Sequence, residues 1–308
     1  MFRKNTNTLT LSLLMAALSG CAKEAPLPLR FGLLPDSDSL PFMVAKAEGL
    51  FEAQGLSVEL VQFTSPVERD AAFQAGAVDG VISDLIAAAL ATQGGFDVRV
   101  TSVTDGRYGI VSAPGGSAEL NSLKGKAVGL SSNTIIQYLV DTAIERAGMA
   151  RGDIERMAVP KIPVRMELLV GGQVAAAGLP EPFLTVAQQR GAALIASCEE
   201  YKLDAAIVLF DKKALDAKAG AITKLYKAYW QAAQKINANP DAYRDFLVHE
   251  AKFPAETRDA FVFVSYRKPV LPALQNVEAA LAWMRGNGLL TADLEAKSLL
   301  DDRALRGW

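Results

Sequence analysis

The chain has 308 residues, of which 50% are hydrophobic and 21% are charged, so its composition is that of a globular protein with one large domain or two smaller ones. A formal net charge of −2 provides no basic surface, which argues against nucleic acid as a partner. Two cysteines form neither a disulfide framework nor a metal-type spacing, and we expect no metal and no cofactor.

The N-terminal segment predicts the compartment. Arg3 and Lys4 form a short basic region, and residues 9–18 form an apolar stretch that is too short to span a bilayer permanently. The following Leu-Ser-Gly-Cys, which ends at Cys21, resembles the lipobox of bacterial lipoproteins; an ordinary signal peptide with an incidental cysteine is the alternative. We therefore expect a signal peptide at 1–20 and a periplasmic or cell-envelope protein that a lipid on Cys21 anchors to the membrane.

Residues 29–60 predict a strand, a polar turn, a helix, a second turn and a second strand, which together are a βαβ unit. Asp36, Asp38 and Ser39 occupy the polar turn, in front of a helix that begins near Pro41. In open α/β sheets, ligands bind at the carboxyl ends of strands, where helix N-termini also point. The unit therefore predicts one wall of a binding site.

Strand and helix patterns alternate up to about residue 208, as in parallel sheets. Ser65 is a predicted N-cap, and Glu68 has the position that a capping box requires. The Pro-Gly-Gly-Ser cluster at 114–117 is the best candidate for a crossing between two α/β units. Beyond this region the chain is almost entirely helical, with one helix predicted to begin at Pro254. The predicted parts are a tether at 21–28, a first lobe at 29–110, a second lobe at 111–208, and a C-terminal part at 209–308 that completes the first lobe.

Several motifs, taken in their order and spacing, resemble one family. The segment VAKAEGLFEAQGLSVELV is similar to the opening signature of substrate-binding proteins of ABC importers for nitrate, taurine and sulfonates, and of a related branch that binds thiamine pyrimidine precursors. The further matching motifs are Gln74-Ala75-Gly76 with Val78-Asp79-Gly80, Leu123-Lys124-Gly125-Lys126, Leu179-Pro180-Glu181-Pro182 with Arg190-Gly191, and Asn237-Ala238-Asn239-Pro240. With the lipobox, they cover nearly all of the mature chain.

The resemblance implies an α/β fold of the type II periplasmic-binding-protein class. Such a fold has two α/β lobes around a cleft, here with a helical C-terminal extension that packs on the first lobe. It also implies closure over a small organic solute and delivery of that solute to the permease and ATPase of an ABC importer. We expect the protein to be a monomer.

Polar residues at strand-end turns are the candidate ligand contacts, because two facing lobes bring such turns together. Asp84 ends an otherwise apolar run, where a carboxylate is costly unless it is paired or faces a cleft. Glu181 lies between two prolines at a strand end. Arg165 is interpreted as a solvated helix position, and contact with a carboxylate or sulfonate is the alternative. Helix capping is the alternative explanation for several of the candidates. The candidates are Asp36, Asp38, Ser39, Ser83, Asp84, Tyr108, Ser131, Asn133, Thr134 and Glu181.

The acidic candidates bear on the choice of solute. If Asp84 and Glu181 both face the cleft, their carboxylates repel a nitrate or sulfonate at close range. They would then suit a neutral or cationic solute with N–H donors, such as an aminopyrimidine. A sulfonate-like solute is the alternative.

The sequence offers little support for catalysis. The one histidine, His249, lies in a predicted C-terminal helix away from the strand-end turns, so a Ser-His or Cys-His nucleophilic site is not expected. Cys198 is expected to be a buried small residue. Two alternatives to solute transport stay open: a lyase that uses Asp84 and Glu181 as acid and base, and a sensory or scaffolding lipoprotein that no longer transports.

Overall fold

The computed structural model describes Met1 and residues 28–307, so the predicted lipidation site, Cys21, lies outside the described residues. Ten strands are present in this part of the chain. They are β1 (Leu29–Leu33), β2 (Val58–Gln62), β3 (Gly80–Asp84), β4 (Val98–Val103), β5 (Tyr108–Ser112), β6 (Ala127–Leu130), β7 (Glu155–Ala158), β8 (Ala176–Pro180), β9 (Leu194–Ser197) and β10 (Ala206–Asp211).

Helices follow most of these strands. They are α1 (Leu40–Ala47), α2 (Leu50–Ala53), α3 (Pro66–Gln74), α4 (Leu85–Gln93), α5 (Ile135–Arg146), α6 (Ile162–Val170), α7 (Phe183–Gln189), α8 (Cys198–Tyr201), α9 (Lys212–Ala238), α10 (Arg244–His249) and α11 (Leu274–Gly286). The helix predicted to begin at Pro254 is wrong, because only a single 3-10 turn forms there, at Ala255–Thr257. Within the described residues, no helix is both long enough and apolar enough to cross a membrane.

The strands form two five-stranded sheets whose orders correspond. The first sheet has the order β2-β1-β3-β10-β4, and the second has the order β7-β6-β8-β5-β9. In each sheet the first three strands are parallel, and the fourth (β10 or β5) runs antiparallel to both of its neighbours. We call the first sheet with α1–α4 and α9–α11 lobe 1, and the second sheet with α5–α8 lobe 2. The predicted α/β, two-lobed fold class is confirmed.

Two short segments, 104–107 and 198–205, carry the chain between the sheets. The crossing predicted at 114–117 is therefore wrong. The preceding strand, β5, already pairs with β8 and β9 in the second sheet, and the Gly/Pro cluster only marks the turn that follows it. Similarly, β10 begins at Ala206 but belongs to the first sheet, where it pairs with β3 and β4.

The C-terminal helices complete the core of lobe 1. The ring of Phe42 in α1 contacts Phe31 of β1 and Tyr229 of α9, with ring centroids 4.8 and 4.7 Å apart. All three side chains are buried, and burial of each aromatic ring stabilises the fold by about 2 kcal/mol. The helix α11 packs beside α4, and Trp283 of α11 contacts Tyr138 of α5 in lobe 2, with ring centroids 5.1 Å apart.

Candidate functional site

A small cavity lies between the lobes, at the carboxyl ends of the parallel strands. Its volume is about 30 Å³, which is room for an object the size of a water molecule. A larger solute at this position therefore requires the lobes to stand farther apart than they do here. The polar residues that line the cavity are Asp36, Arg69, Ser83, Asp84, Tyr108, Ser131, Thr134 and Arg165.

The lobe 1 wall combines two carboxyl groups with one guanidinium. Asp36 accepts hydrogen bonds from the backbone amide and the hydroxyl of Ser39, at 3.3 and 3.0 Å. Asp84 is the N-cap of α4 and accepts from the amide of Ala87 at 2.9 Å. Arg69 of α3 is 3% exposed, and its Nε donates to Asp70 at 2.8 Å. Each charge on this wall thus has a neighbour of opposite charge or an amide donor.

The lobe 2 wall contains a guanidinium that lacks a counter-charge. Arg165 of α6 is 1% exposed, and its Nη1 donates to the hydroxyl of Ser131 and to the carbonyl of Val159. Its Nε has no hydrogen-bond partner, and no carboxylate of the described residues is within ion-pair distance of it. The backbone of β6 makes room for this side chain, since a Cβ on Gly129 would lie 3.3 Å from Arg165 Cγ.

The N-terminus of α5 adds to the positive character of this wall. Thr134 is its N-cap, accepting from the amide of Ile136 at 3.2 Å and donating to the carbonyl of Ser131 at 2.9 Å. Desolvation raises the pKa of the Asp84 carboxylate of lobe 1, and the amide of Ile135 partly offsets this shift. A carboxylate at a helix N-terminus is favourable, so Asp84 shows where an anion is stabilised in this cavity.

Burial shifts the pKa values on the two walls in opposite senses. Desolvation raises the pKa of Asp36 and Asp84, and the charge of Asp38 raises that of Asp36 further. Arg69 opposes both shifts by its positive charge. Desolvation also lowers the pKa of Arg165 to about 9, and no opposite charge offsets it. A bound solute with a positive or donor group beside Asp36 and Asp84 would therefore stabilise the charged form of these carboxyl groups. A negative group of the solute beside Arg165 would stabilise the charged guanidinium.

Six of the ten residues predicted for the site line this cavity, and four do not. Asn133 is exposed in a left-handed turn, where its amide donates to the side chain of Gln137 at 2.7 Å. Ser39 is buried and donates to the carbonyl of Leu34 at 2.6 Å. Asp38 is buried behind the wall, where it accepts a hydrogen bond from the hydroxyl of Tyr108.

Glu181, the fourth of these residues, does not reach the cavity and instead stabilises lobe 2. Its carboxylate is fully buried, 2.6 Å from the guanidinium of Arg107, and it accepts from the amide and hydroxyl of Thr185 at 3.0 and 2.9 Å. These partners satisfy both of its oxygens. The condition for the solute preference drawn from the sequence, that Asp84 and Glu181 both face the cleft, is therefore not met in this structure.

Sequence reasoning did not consider Arg69, and the interpretation of Arg165 as a solvated helix position is wrong, because Arg165 is buried. Arg69 shares a buried helix face with Pro66 and Phe73, and Arg165 shares one with Ile162 and Leu169. The signal was present, because three- and four-residue spacing from apolar residues places a side chain on the buried side of a helix. Both arginines also follow a Pro-Val pair in the first turn of their helix.

The histidine and the cysteine of the described residues lie away from the cavity. His249 is exposed at the end of α10, and Cys198 is buried at the start of α8. Among residues 28–307, no cluster of three or more His, Cys, Asp or Glu is placed to hold a metal ion.

Solved structures of several binding proteins share this fold. The alkanesulfonate-binding protein SsuA from Xanthomonas axonopodis pv. citri, bound to MOPS, superposes with a TM-score of 0.78 at 18% identity, covering 90% of this chain and 98% of that chain. The nitrate-binding protein NrtA from Synechocystis PCC 6803 has a TM-score of 0.73 at 15% identity, with coverages of 91% and 87%. An enzyme, the desulfurization enzyme DSZB, has a TM-score of 0.64 at 15% identity, with coverages of 90% and 97%. At these identities the likeness shows the fold alone.

The sequence itself matches a family model. A search of curated proteins finds no match. The model described as NMT1/THI5 like matches residues 36–243, about two thirds of the chain, including both walls of the cavity. The chain therefore belongs to the NMT1/THI5-like family.

Proposed function

We propose that this protein is the extracytoplasmic solute-binding component of an ABC importer. It captures a small solute between its lobes and delivers it to a permease and ATPase, while a lipid on Cys21 anchors it to the membrane. Three observations support this proposal: the family membership, the fold shared with SsuA and NrtA, and a polar cavity between two lobes. The lipobox-like Leu-Ser-Gly-Cys supports the anchor.

The observation that carries the proposal is the unpaired guanidinium of Arg165. A buried charge without a counter-charge costs several kcal/mol of folding free energy. A stable fold retains such a group where a ligand supplies the missing charge. Because Arg165 lines a cavity between the lobes, that ligand is a solute held by both of them.

The two walls together indicate the chemistry of the solute. Arg165, Ser131 and the N-terminus of α5 suit an oxyanion such as a sulfonate or carboxylate. Asp36 and Asp84 on the opposite wall suit N–H or O–H donors. We therefore infer a small solute with an oxyanion at one end and donor groups at the other. The sequence favoured a neutral or cationic solute. The inferred solute differs from that preference, because Glu181 does not add its negative charge to the cavity and Arg165 adds a positive one.

A lyase that uses Asp84 and Glu181 is less well supported. Acid and base must both reach the substrate, and only Asp84 lines the cavity. Binding without turnover is therefore our proposal, although the fold also occurs in an enzyme.

Native mass spectrometry of protein purified without refolding tests for a carried-over solute. Thermal unfolding with a panel of 2-aminoethanesulfonate, propane-1-sulfonate, nitrate, aminopyrimidines and alkylamines tests its class. We expect stabilisation by the members that carry an oxyanion. Stabilisation by amines and aminopyrimidines alone would contradict the proposed solute chemistry, and turnover of a bound member would favour the enzyme.

Transport and sensing are separated by a cellular measurement. Uptake of the identified solute should fall when this gene is deleted and return when it is restored. Binding without any effect on uptake would favour the sensory or scaffolding alternative.

A further inference from the structure

One arginine outside the cavity ties together the two segments that connect the lobes. The guanidinium of Arg267 donates to Asp105 in segment 104–107, with Nε 2.5 Å from Oδ1. The same group forms a bidentate pair with Asp204 in segment 198–205, at 3.0 and 2.9 Å. The amide of Arg267 also donates to Asp105, at 2.6 Å. One carboxylate partner thus lies in each of the two connecting segments, 104–107 and 198–205, which we call the crossovers.

The backbone around Arg267 is fixed to lobe 1. The amide of Tyr266 donates to Asn237 of α9 at 2.9 Å, and the hydroxyl of Tyr266 donates to the carbonyl of Ser37 at 2.8 Å. Farther along, Val270 accepts from the amide of Val103 in β4, at 2.8 Å. Arg267 therefore projects from a segment that moves with lobe 1, and its guanidinium holds both crossovers to that lobe.

A glycine with no room for a side chain and a residue in the left-handed region lie close to the held residues. Gly106 follows Asp105, and a Cβ at this position would lie 2.1 Å from Asp38 Oδ2 and 2.6 Å from Tyr108. Lys202 precedes Asp204 and is a non-glycine residue in the left-handed region, with φ of 55°. Both positions lie on the lobe 2 side of the contacts made by Arg267. They are where the backbone can change direction without disturbing those contacts.

We propose that Arg267 is a hinge clamp: it fixes the lobe 1 ends of both crossovers, so that lobe 2 pivots at Gly106 and Lys202. The proposal rests on the proposed function only in that this movement serves solute capture. Arg267 is a positioning residue, since it does not line the small cavity that contains Arg165; it lines a wider pocket beside the two crossovers.

The size of the effect follows from the exposure of the clamp. The side chain of Arg267 is 46% exposed, so solvent screens its ion pairs, but it joins two carboxylates in one network. Loss of the clamp should therefore raise opening of the crossovers by about fivefold, near the upper end for such pairs.

Hydrogen–deuterium exchange of the full-length protein without added solute tests the clamp directly. The variants are Arg267→Gln, the conservative Arg267→Lys, and the control Arg303→Gln. Arg303 is a matched control because it also joins two carboxylates, Asp216 and Asp301, and its side chain is 38% exposed.

We expect Arg267→Gln to raise exchange about fivefold at the amides of 104–107 and 198–205, Arg267→Lys to give a smaller rise, and Arg303→Gln to leave both segments unchanged. Unchanged exchange at the crossovers in Arg267→Gln would overturn the proposal. A uniform rise across lobe 1 would also overturn it, because that result indicates a structural role alone. Since no solute is needed, failure of the clamp is distinct from failure of the proposed function.

Discussion

The two lobes repeat one arrangement but complete it with different charges. In each lobe the helix after the edge strand carries an arginine, Arg69 in α3 and Arg165 in α6. In each lobe a carboxylate lies at the end of the third strand of the order and accepts from an amide of the next helix: Asp84 is the last residue of β3, and Glu181 directly follows β8. The equivalent positions make the lobes directly comparable.

The difference is where the lobe 2 carboxylate points. In lobe 1, Asp84 faces the cavity, where its charge interacts with that of Arg69. In lobe 2, Glu181 turns away to Arg107, and Arg165 is left facing the cavity with no carboxylate. The same fold therefore produces two different walls. In lobe 1 the charges of Asp84 and Arg69 compensate each other, whereas in lobe 2 the charge of Arg165 requires an anion supplied by a solute.

The largest effect is expected when the lobe 2 ion pair between Glu181 and Arg107, which lies away from the cavity, is broken. Glu181→Ala leaves Arg107 without its buried partner and should lower the free energy of unfolding by about 3 kcal/mol. Glu199→Ala is the matched control, because Glu199 is 53% exposed and lies 3.5 Å from the same arginine; it should cost under about 1 kcal/mol. Denaturant unfolding measures both. Loss of solute binding with unchanged stability in Glu181→Ala would contradict this prediction and would show that Glu181 contacts the solute.

The second prediction concerns the buried carboxyl groups of lobe 1. Burial raises the pKa of Asp38 from 3.8 to about 6, so the folded state holds a proton that the unfolded state releases. Stability contributed by this proton is present at low pH and is lost as pH rises from about 4 to about 6. Asp38→Asn should remove about 2 kcal/mol of that pH dependence.

Unfolding of the wild type and Asp38→Asn across pH 4 to 7 checks this prediction. The difference between the two proteins cancels the groups that they share. A parallel pH dependence in both proteins would show that Asp38 titrates as an ordinary carboxyl group.

A smaller effect, on solute affinity, is expected from a change at Asp84 on the lobe 1 wall. Asp84→Asn keeps an N-cap for α4 but removes the negative charge that faces the cavity. It should weaken 2-aminoethanesulfonate relative to its amine-free analogue propane-1-sulfonate by about tenfold. Calorimetric titration of both probes gives the ratio. An unchanged ratio would mean that Asp84 does not receive the donor end of the solute.

The sequence predicted the strands, most helices and their caps, because these features depend on local chemistry. Ser65, Asp84 and Thr134 all cap helices as their side chains favour, and turn residues marked the strand ends. Helix capping did not exclude a cavity position, since Asp84 and Thr134 do both.

The choice between facing the cavity and facing a buried partner could not be predicted. Glu181 and Arg165 differ in the long-range contacts that surround them: Arg107 is 74 positions from Glu181, and Ser131 is 34 positions from Arg165. The same reason explains the misplaced crossing at 114–117, because the pairing of β5 with β8 depends on residues far along the chain.

The most direct test of the central claim is the anion affinity of Arg165→Gln, measured by calorimetric titration with the oxyanion that stabilises the wild type. Arg190→Gln is the control, since Arg190 is a lobe 2 arginine that does not line the cavity. The account predicts a loss of at least about 100-fold for Arg165→Gln, a thermal unfolding midpoint that is retained or raised, and unchanged affinity for the control. Wild-type affinity in Arg165→Gln would contradict the claim that the unpaired guanidinium of lobe 2 holds the solute.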